Sequence, residues 1–198
     1  MNIVFFGSAN FAVPFLRAIL KTDHNISCVV TQPDRQKGRG LSLSSTSVKT
    51  TALEYALSVY QPTKINATDV INFLRDLNPD LFVVIAYGQM LSQEILDIPK
   101  IFSINVHASL LPKYRGAAPI SWAIIKGEKK TGITIIKMSH QMDAGPVIQQ
   151  KEINIEDDDT VFTLQDKLSE LGTQMLLDCL RNIENNNYTL TSQDENQA

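Results

Sequence analysis

Three nearly unbroken apolar runs constrain this chain more than any other feature of it. Asn2–Phe6, Ile26–Thr31 and Leu81–Ala86 show no period-2 alternation of polar and apolar residues. The strands they predict therefore have no face to offer water. Strands of that kind belong to parallel sheets covered on both sides by helices. The segments between them supply those helices. Ser8 or Asn10 can cap a helix through Phe11–Lys21, with Pro14 tolerable in its first turn. Val48, Ala52, Tyr55, Ala56 and Val59 recur at helical spacing, and a short extended Val59–Gln61 closes at Pro62. Thr68 or Asp69 can cap a further helix, which Asn78-Pro79 ends. The pattern is βαβα, and the expected fold class is α/β: a doubly wound, mostly parallel sheet with helices on both faces.

The second half of the chain continues with shorter signals. A brief helix is expected near Ser92–Leu96, a strand at Ile101–His107, a helix at Ala117–Lys126 stopped by Gly127, and strands at Thr131–Met138 and Val147–Ile155. Asp157-Asp158-Asp159-Thr160 precedes Val161, Leu164, Leu168, Leu171, Met175, Leu176, Cys179 and Ile183, a long amphipathic helix with acid at its first turn. With 198 residues the chain has room for one domain and an appendage. Residues 1–183 are read as that domain. Residues 184–198 are read as a polar, poorly ordered tail, or the start of a linker to a C-terminal domain outside this sequence.

Charge is unevenly spread. Residues 1–151 hold 16 Lys and Arg against 10 Asp and Glu, whereas residues 152–198 hold 2 against 11. A basic body carrying an acidic end leaves room for a polyanionic partner of the body. No stretch of 18 apolar residues occurs and the N-terminus lacks a basic leader, so neither a membrane span nor a signal peptide is expected, and a cytoplasmic monomer is. Cys28 and Cys179 sit among apolar neighbours and are read as small buried hydrophobes in a reducing compartment. Neither CxxC nor a Cys/His cluster is present, so no metal is expected.

Ligands of doubly wound sheets bind at the carboxyl ends of the strands. Here those ends are Gly7-Ser8, Thr31-Gln32, Ala86-Tyr87-Gly88 and Asn105-Val106-His107. The first strand is followed by Gly7-Ser8-Ala9-Asn10, one glycine where a dinucleotide fold wants three, and the sequence contains no P-loop and no GxSxG elbow. The dehydrogenase, NTPase and serine-hydrolase classes therefore lose their support. Asn105 and His107 are two apart on a strand, so their side chains leave the same face. A lone strand histidine is ordinarily a core residue. An amide donor beside it at a strand end, leading into a Pro- and Gly-rich loop, instead suits a developing oxyanion in acyl transfer.

The run Asn105-Val106-His107-Ala108-Ser109-Leu110-Leu111-Pro112, continuing through Tyr114-Arg115-Gly116-Ala117-Ala118-Pro119-Ile120, resembles the folate-site signature of the folate-dependent formyltransferases. Met142-Asp143-Ala144-Gly145-Pro146-Val147 is similar to that family's loop with an essential aspartate. Thr31-Gln32-Pro33-Asp34-Arg35, leading into Gly38-Arg39-Gly40, resembles the branch acting on methionyl-tRNA. The resemblance implies a catalytic trio of Asn105, His107 and Asp143, with the cosubstrate 10-formyltetrahydrofolate and no metal. It also implies folate contacts from Ser109, Leu110, Leu111 and Pro112, and from Ala86, Tyr87, Gly88, Met90, Ser139 and Met142 around the pterin. The formyl acceptor would be the amino group of initiator methionyl-tRNA, as in translation initiation. Arg35, Lys37, Arg39 and Lys49 lie in a long loop without acidic residues from Arg35 through Leu53 and would meet its phosphates. Lys113 and Arg115 border the site and could serve the glutamate tail or a phosphate. Three readings compete: a glycinamide ribonucleotide formyltransferase, a sugar-nucleotide formyltransferase, and a folate-binding module without catalysis.

Overall fold

The computed structural model describes residues 1–37 and 42–197. The chain divides into two compact units, Met1–Ser103 and Ile104–Ala198.

In the first unit, in chain order, are β1 (Asn2–Gly7), α1 (Val13–Ile19), β2 (Asn25–Val30), β3 (Arg35–Lys37), β4 (Ser42–Ser44), α2 (Ser47–Glu54), β5 (Val59–Tyr60), α3 (Thr68–Asp76), β6 (Leu81–Ile85) and α4 (Gln93–Leu96). The strand order is β5-β2-β1-β6, and every pairing within it is parallel. Ile3, Val4, Phe5 and Phe6 are all inaccessible to solvent, as are Leu81, Phe82 and Val83. Successive strand residues point to opposite faces, so burial of each one means both faces are covered. This is the doubly wound α/β arrangement expected from the unbroken apolar runs. Burying a Phe or Leu side chain of this kind contributes about 1.5–3 kcal/mol. The Phe6 and Phe82 rings add an edge-to-face contact at 4.9 Å.

The helix ends differ from the local signals more than the strands do. The first helix opens as a 3-10 turn at Asn10–Ala12, and neither Ser8 nor Asn10 caps it. The Ser8 hydroxyl instead donates to the Tyr87 carbonyl and accepts from the Gln32 amide, tying the ends of β1, β2 and β6 together. Ala67, not Thr68 or Asp69, occupies the N-cap of α3. The helix expected to run toward Val59 stops at Glu54, where Ala56 turns left-handed at φ 52°. The long loop after β2 contains an antiparallel pair, Arg35 to Lys37 on Ser44 to Ser42.

The second unit holds β7 (Phe102–His107), which begins at its boundary, then α5 (Pro119–Ile125), β8 (Lys130–Lys137), β9 (Val147–Asn154) and α6 (Val161–Glu184). Its pairings, β7 with β8 and β8 with β9, are antiparallel. Thr131 through Ile136 of β8 are all buried. Along α6, Leu164, Leu168, Met175, Leu176, Cys179 and Ile183 of the expected stripe are buried, joined by Leu180, whereas Val161 and Leu171 are only half-buried. Thr160 caps α6 reciprocally with Thr163. The acids expected in its first turn lie just before it, Asp159 accepting from the Glu156 amide. Among the described residues, no helix is long and apolar enough to cross a membrane.

The end of the chain departs from expectation. Thr191 forms a two-bond antiparallel bridge with Val147, and Glu195–Gln197 close a 3-10 turn. The reason is local: Gln193 and Glu195 find hydrogen-bonding partners on two loops of this unit.

Candidate active site

The carboxyl end of β7 carries Asn105 and His107, opposite Ile136 and Thr134 of β8. The loop from Ser139 to Pro146 joins β8 to β9 and carries Asp143. Asn105 and Asp143 lie 38 residues apart in sequence, yet Asn105 Nδ2 donates to Asp143 Oδ1 at 2.9 Å. Asp143 Oδ2 accepts the Gly116 amide at 2.8 Å and stands 3.5 Å from His107 Nδ1. The His107 and Asp143 side chains are only 7% and 14% exposed, so little water screens the pair. The structure thus brings together the amide, imidazole and carboxylate singled out in the sequence.

The tautomer of His107 follows from its partners. Nε2 lies 2.8 Å from the Tyr114 carbonyl, which can only accept, so Nε2 carries a hydrogen. In the neutral ring Nδ1 then bears a lone pair and faces the carboxylate. A second proton, on Nδ1, would place a cation against Asp143 and satisfy both sides. Asn105 uses one amide hydrogen on Asp143 and retains another.

Backbone geometry aims these groups. Tyr114 and Asp143 are left-handed at φ 60° and 50°, and Gly116 has φ 91°. Such conformations are disfavoured for L side chains and persist where surrounding bonds impose them. Gly145 is required for space: a Cβ there would lie 1.8 Å from the Lys137 carbonyl oxygen. The loop after β7 is held by the buried Thr134 hydroxyl, which donates to Ser109 O at 2.6 Å and accepts from Leu111 N at 3.1 Å and Gln150 Nε2 at 2.9 Å. That uses every bonding capacity a hydroxyl has.

Other anticipated residues have more local surroundings. Ser109 is buried and donates to Lys113 O at 2.6 Å. Leu111 is buried, while Leu110, with Lys113 and Tyr114, lines a cavity of about 380 Å³. Ser139 Oγ donates to Gln141 O, and Met142 is half exposed, its sulfur near Gly116. In the first unit, Ala86 is left-handed at φ 47° and Gly88 has φ 90°. Met90 is half exposed. The Tyr87 side chain points inward: it is 2% exposed, packs edge-to-face on Phe6, and its hydroxyl lacks a hydrogen-bond partner among the described residues. Burial raises its pKa.

Of the four basic residues expected in the long loop, Arg39 lies outside the described residues, Lys37 closes β3, and Lys49 belongs instead to the first turn of α2. Arg35 reaches Gln32 at 3.3 Å. The Lys49 ammonium is committed to Asp34 at 2.6 Å. Lys49, together with Gln61, holds the Asp34 carboxyl below the usual range. Arg115, considered above as an anion contact, is engaged by Gln193 and bidentately by Glu195. Sequence reasoning missed the Tyr114 carbonyl, the Gly116 amide and Gln193. The first two leave a trace in the Tyr-Arg-Gly turn, whereas nothing in a polar tail singles out Gln193.

Residues 1–180 match the family described as formyl transferase, and the chain belongs to that family. Within it, the chain is 48% identical over 179 residues to a methionyl-tRNA formyltransferase of Thermodesulfovibrio yellowstonii, covering 90% of this chain and 58% of that protein. It is 48% identical to that of Clostridioides difficile, with 94% and 60% covered, and 45% identical to that of Kosmotoga olearia, with 100% and 64% covered. The chain therefore spans about three fifths of the length of these relatives. Its fold is that of a phosphoribosylglycinamide formyltransferase from Bacillus halodurans, with TM-score 0.75, 22% identity, and 92% of this chain and 95% of that one covered. It is also that of an N-formyltransferase from Helicobacter canadensis in complex with folinic acid and dTDP-3-aminofucose, with TM-score 0.71, 21% identity, and 98% and 68% covered.

Proposed function

We propose that this chain transfers the formyl group of 10-formyltetrahydrofolate to the amino group of methionyl-tRNA, using Asn105, His107 and Asp143. The observation carrying the reading is the convergence on one carboxylate: Asp143 accepts from Asn105 and faces His107. The choice of acceptor rests on the relatives near 45% identity, all methionyl-tRNA formyltransferases.

Free α-amines titrate near pH ~8, so a useful fraction is neutral at physiological pH and attacks the formyl carbon directly. Charge then develops on the formyl oxygen. The remaining Asn105 N–H is the donor for it, worth about 3 kcal/mol when well aimed, while His107, anchored on the Tyr114 carbonyl, stands beside the carboxylate that handles the proton. Asp143 holds the imidazole and takes up the proton that the attacking amine must lose. That proton passes to N10 of the folate as the C–N10 bond breaks, leaving a formamide and tetrahydrofolate. The chemistry needs no covalent enzyme intermediate. Ser109 to Pro112, Ser139 and Met142 are proposed to line the folate in the second unit, and Ala86 to Met90 to belong to the pterin contacts. Arg35, Lys37 and Arg39 are the candidates for phosphate contacts, while Lys49 is already paired with Asp34.

The test offers 10-formyltetrahydrofolate with methionyl-tRNA, glycinamide ribotide or an amino-sugar nucleotide in separate reactions. Methionyl-tRNA is expected to be the amine formylated. Asn105→Ala and Asp143→Ala should each lower turnover about 100-fold or more with folate affinity little changed. Formylation of a different amine would reassign the acceptor, and normal turnover in both variants would remove the trio from the chemistry.

A further inference from the structure

Gln193 has an environment unlike that of a residue in a loose tail. Its side-chain nitrogen donates to two backbone carbonyls, Asp143 O at 2.7 Å and Gly145 O at 2.8 Å. Its side-chain oxygen accepts from Arg115 Nε at 3.1 Å and Nη2 at 2.8 Å. Both amide hydrogens and both acceptor positions are thereby used. The orientation is unambiguous, since a flipped amide would set donors against the guanidinium and an acceptor against the carbonyls. Arg115 is fixed in turn by Glu195, and the neighbouring Gly116 amide binds the Asp143 carboxylate itself. Upstream, the Val147–Thr191 bridge sets the approach of the segment.

Asp143 is left-handed at φ 50°, a conformation open to Asp more readily than to most L residues but one that neighbouring bonds still have to hold in place at a working site. The two bonds from Gln193 supply that constraint on either side of Ala144. We propose that Gln193 is a positioning residue: it pins the peptide groups of Asp143 and Gly145 so that the carboxylate stays aligned with Asn105 and His107, coupling the C-terminal segment of the second unit to the chemistry. The proposal rests on the role assigned to Asp143 above. Arg115 is correspondingly a support for Gln193 and not a contact for the folate glutamate or a phosphate.

The experiment measures single-turnover formyl transfer to methionyl-tRNA, with the rate followed against 10-formyltetrahydrofolate concentration, in Gln193→Ala, Gln193→Glu, Asp143→Asn and the Gln193→Ala/Asp143→Asn double variant. Loss of alignment by an ångström is expected to lower the maximal rate about 30- to 100-fold in Gln193→Ala, with the half-saturating folate concentration changed less than about threefold. Gln193→Glu keeps a partner for Arg115 but has no hydrogen to give the carbonyls, so it should lose as much. It also serves as the reading if the alanine variant fails to fold. In the Asp143→Asn background, Gln193→Ala should add less than about a twofold loss, because the group it positions is already gone. A rate within threefold of wild type in Gln193→Ala and Gln193→Glu would overturn the proposal. So would an equal fold-loss in both backgrounds, which would mark a merely structural role. A near-normal rate in Asp143→Asn would instead defeat the assignment of Asp143, whatever Gln193 does.

Discussion

Replacing Gly145 by alanine tests how tightly the Asp143 loop must be held. The added Cβ would sit 1.8 Å from the Lys137 carbonyl oxygen, where real Cβ contacts essentially never fall below 3.0 Å. The two backbone segments must therefore part by at least about 1.2 Å, the difference between those distances. Lys137 lies at the end of β8, paired with Ile104 of β7, so the mobile side of the clash is the loop bearing Asp143. Misplacement on that scale costs about 100-fold in rate, equivalent to about 2.7 kcal/mol of activation free energy. Forcing the extra methyl into the packed turn should also lower stability by about 1–3 kcal/mol. Gly127→Ala is the control: its φ is +65° with nothing within 4 Å of the new Cβ. It should cost about 1 kcal/mol of stability through backbone conformation and leave turnover unchanged. The assay pairs single-turnover formyl transfer with a thermal melt of each variant. A folded Gly145→Ala protein turning over within threefold of wild type would refute the claim that loop placement limits the chemistry.

Two further outcomes concern stability and reactivity. Burial pushes the Cys28 thiol up to about 11 and the Cys179 thiol up to about 12, so neither should react with a thiol reagent at neutral pH until the chain unfolds; rapid labelling of the native protein would contradict this. The Asp80 carboxyl is held below its ordinary value of 3.8, first by the Asn2 amide and then by Lys100. Its stabilisation is present above that value and disappears as the pH falls through the lowered one. The difference in urea midpoint between wild type and Asp80→Asn should therefore be constant from neutral pH down to about pH 5 and shrink at pH 3 and below. A difference that persists unchanged in acid would remove the carboxylate as its source.

The parts of the molecule legible in the sequence are those where one physical demand acts over several consecutive residues. β1, β2 and β6 announce themselves because both faces are buried, and α6 because its stripe repeats for six turns. Single-residue signals were less reliable. Ser8 has the chemistry of a cap, but its hydroxyl serves Tyr87 and Gln32 across the ends of three strands, a competition visible only after folding. Asn105 and His107 are paired by strand periodicity alone. Asp143 could be joined to them only through resemblance, since no local pattern spans the 38 residues that separate it from Asn105. Gln193 was hidden for a stronger reason: a polar side chain among polar neighbours has no hydrophobic signature, and its role depends on two carbonyls whose direction is fixed by a left-handed residue fifty positions earlier.

Asn105, His107, Asp143, Gly116 and Gln193 all belong to the unit that begins at Ile104. The hydrogen bonds that join them on the Asp143 loop are therefore all internal to that unit, with no partner encoded before residue 104.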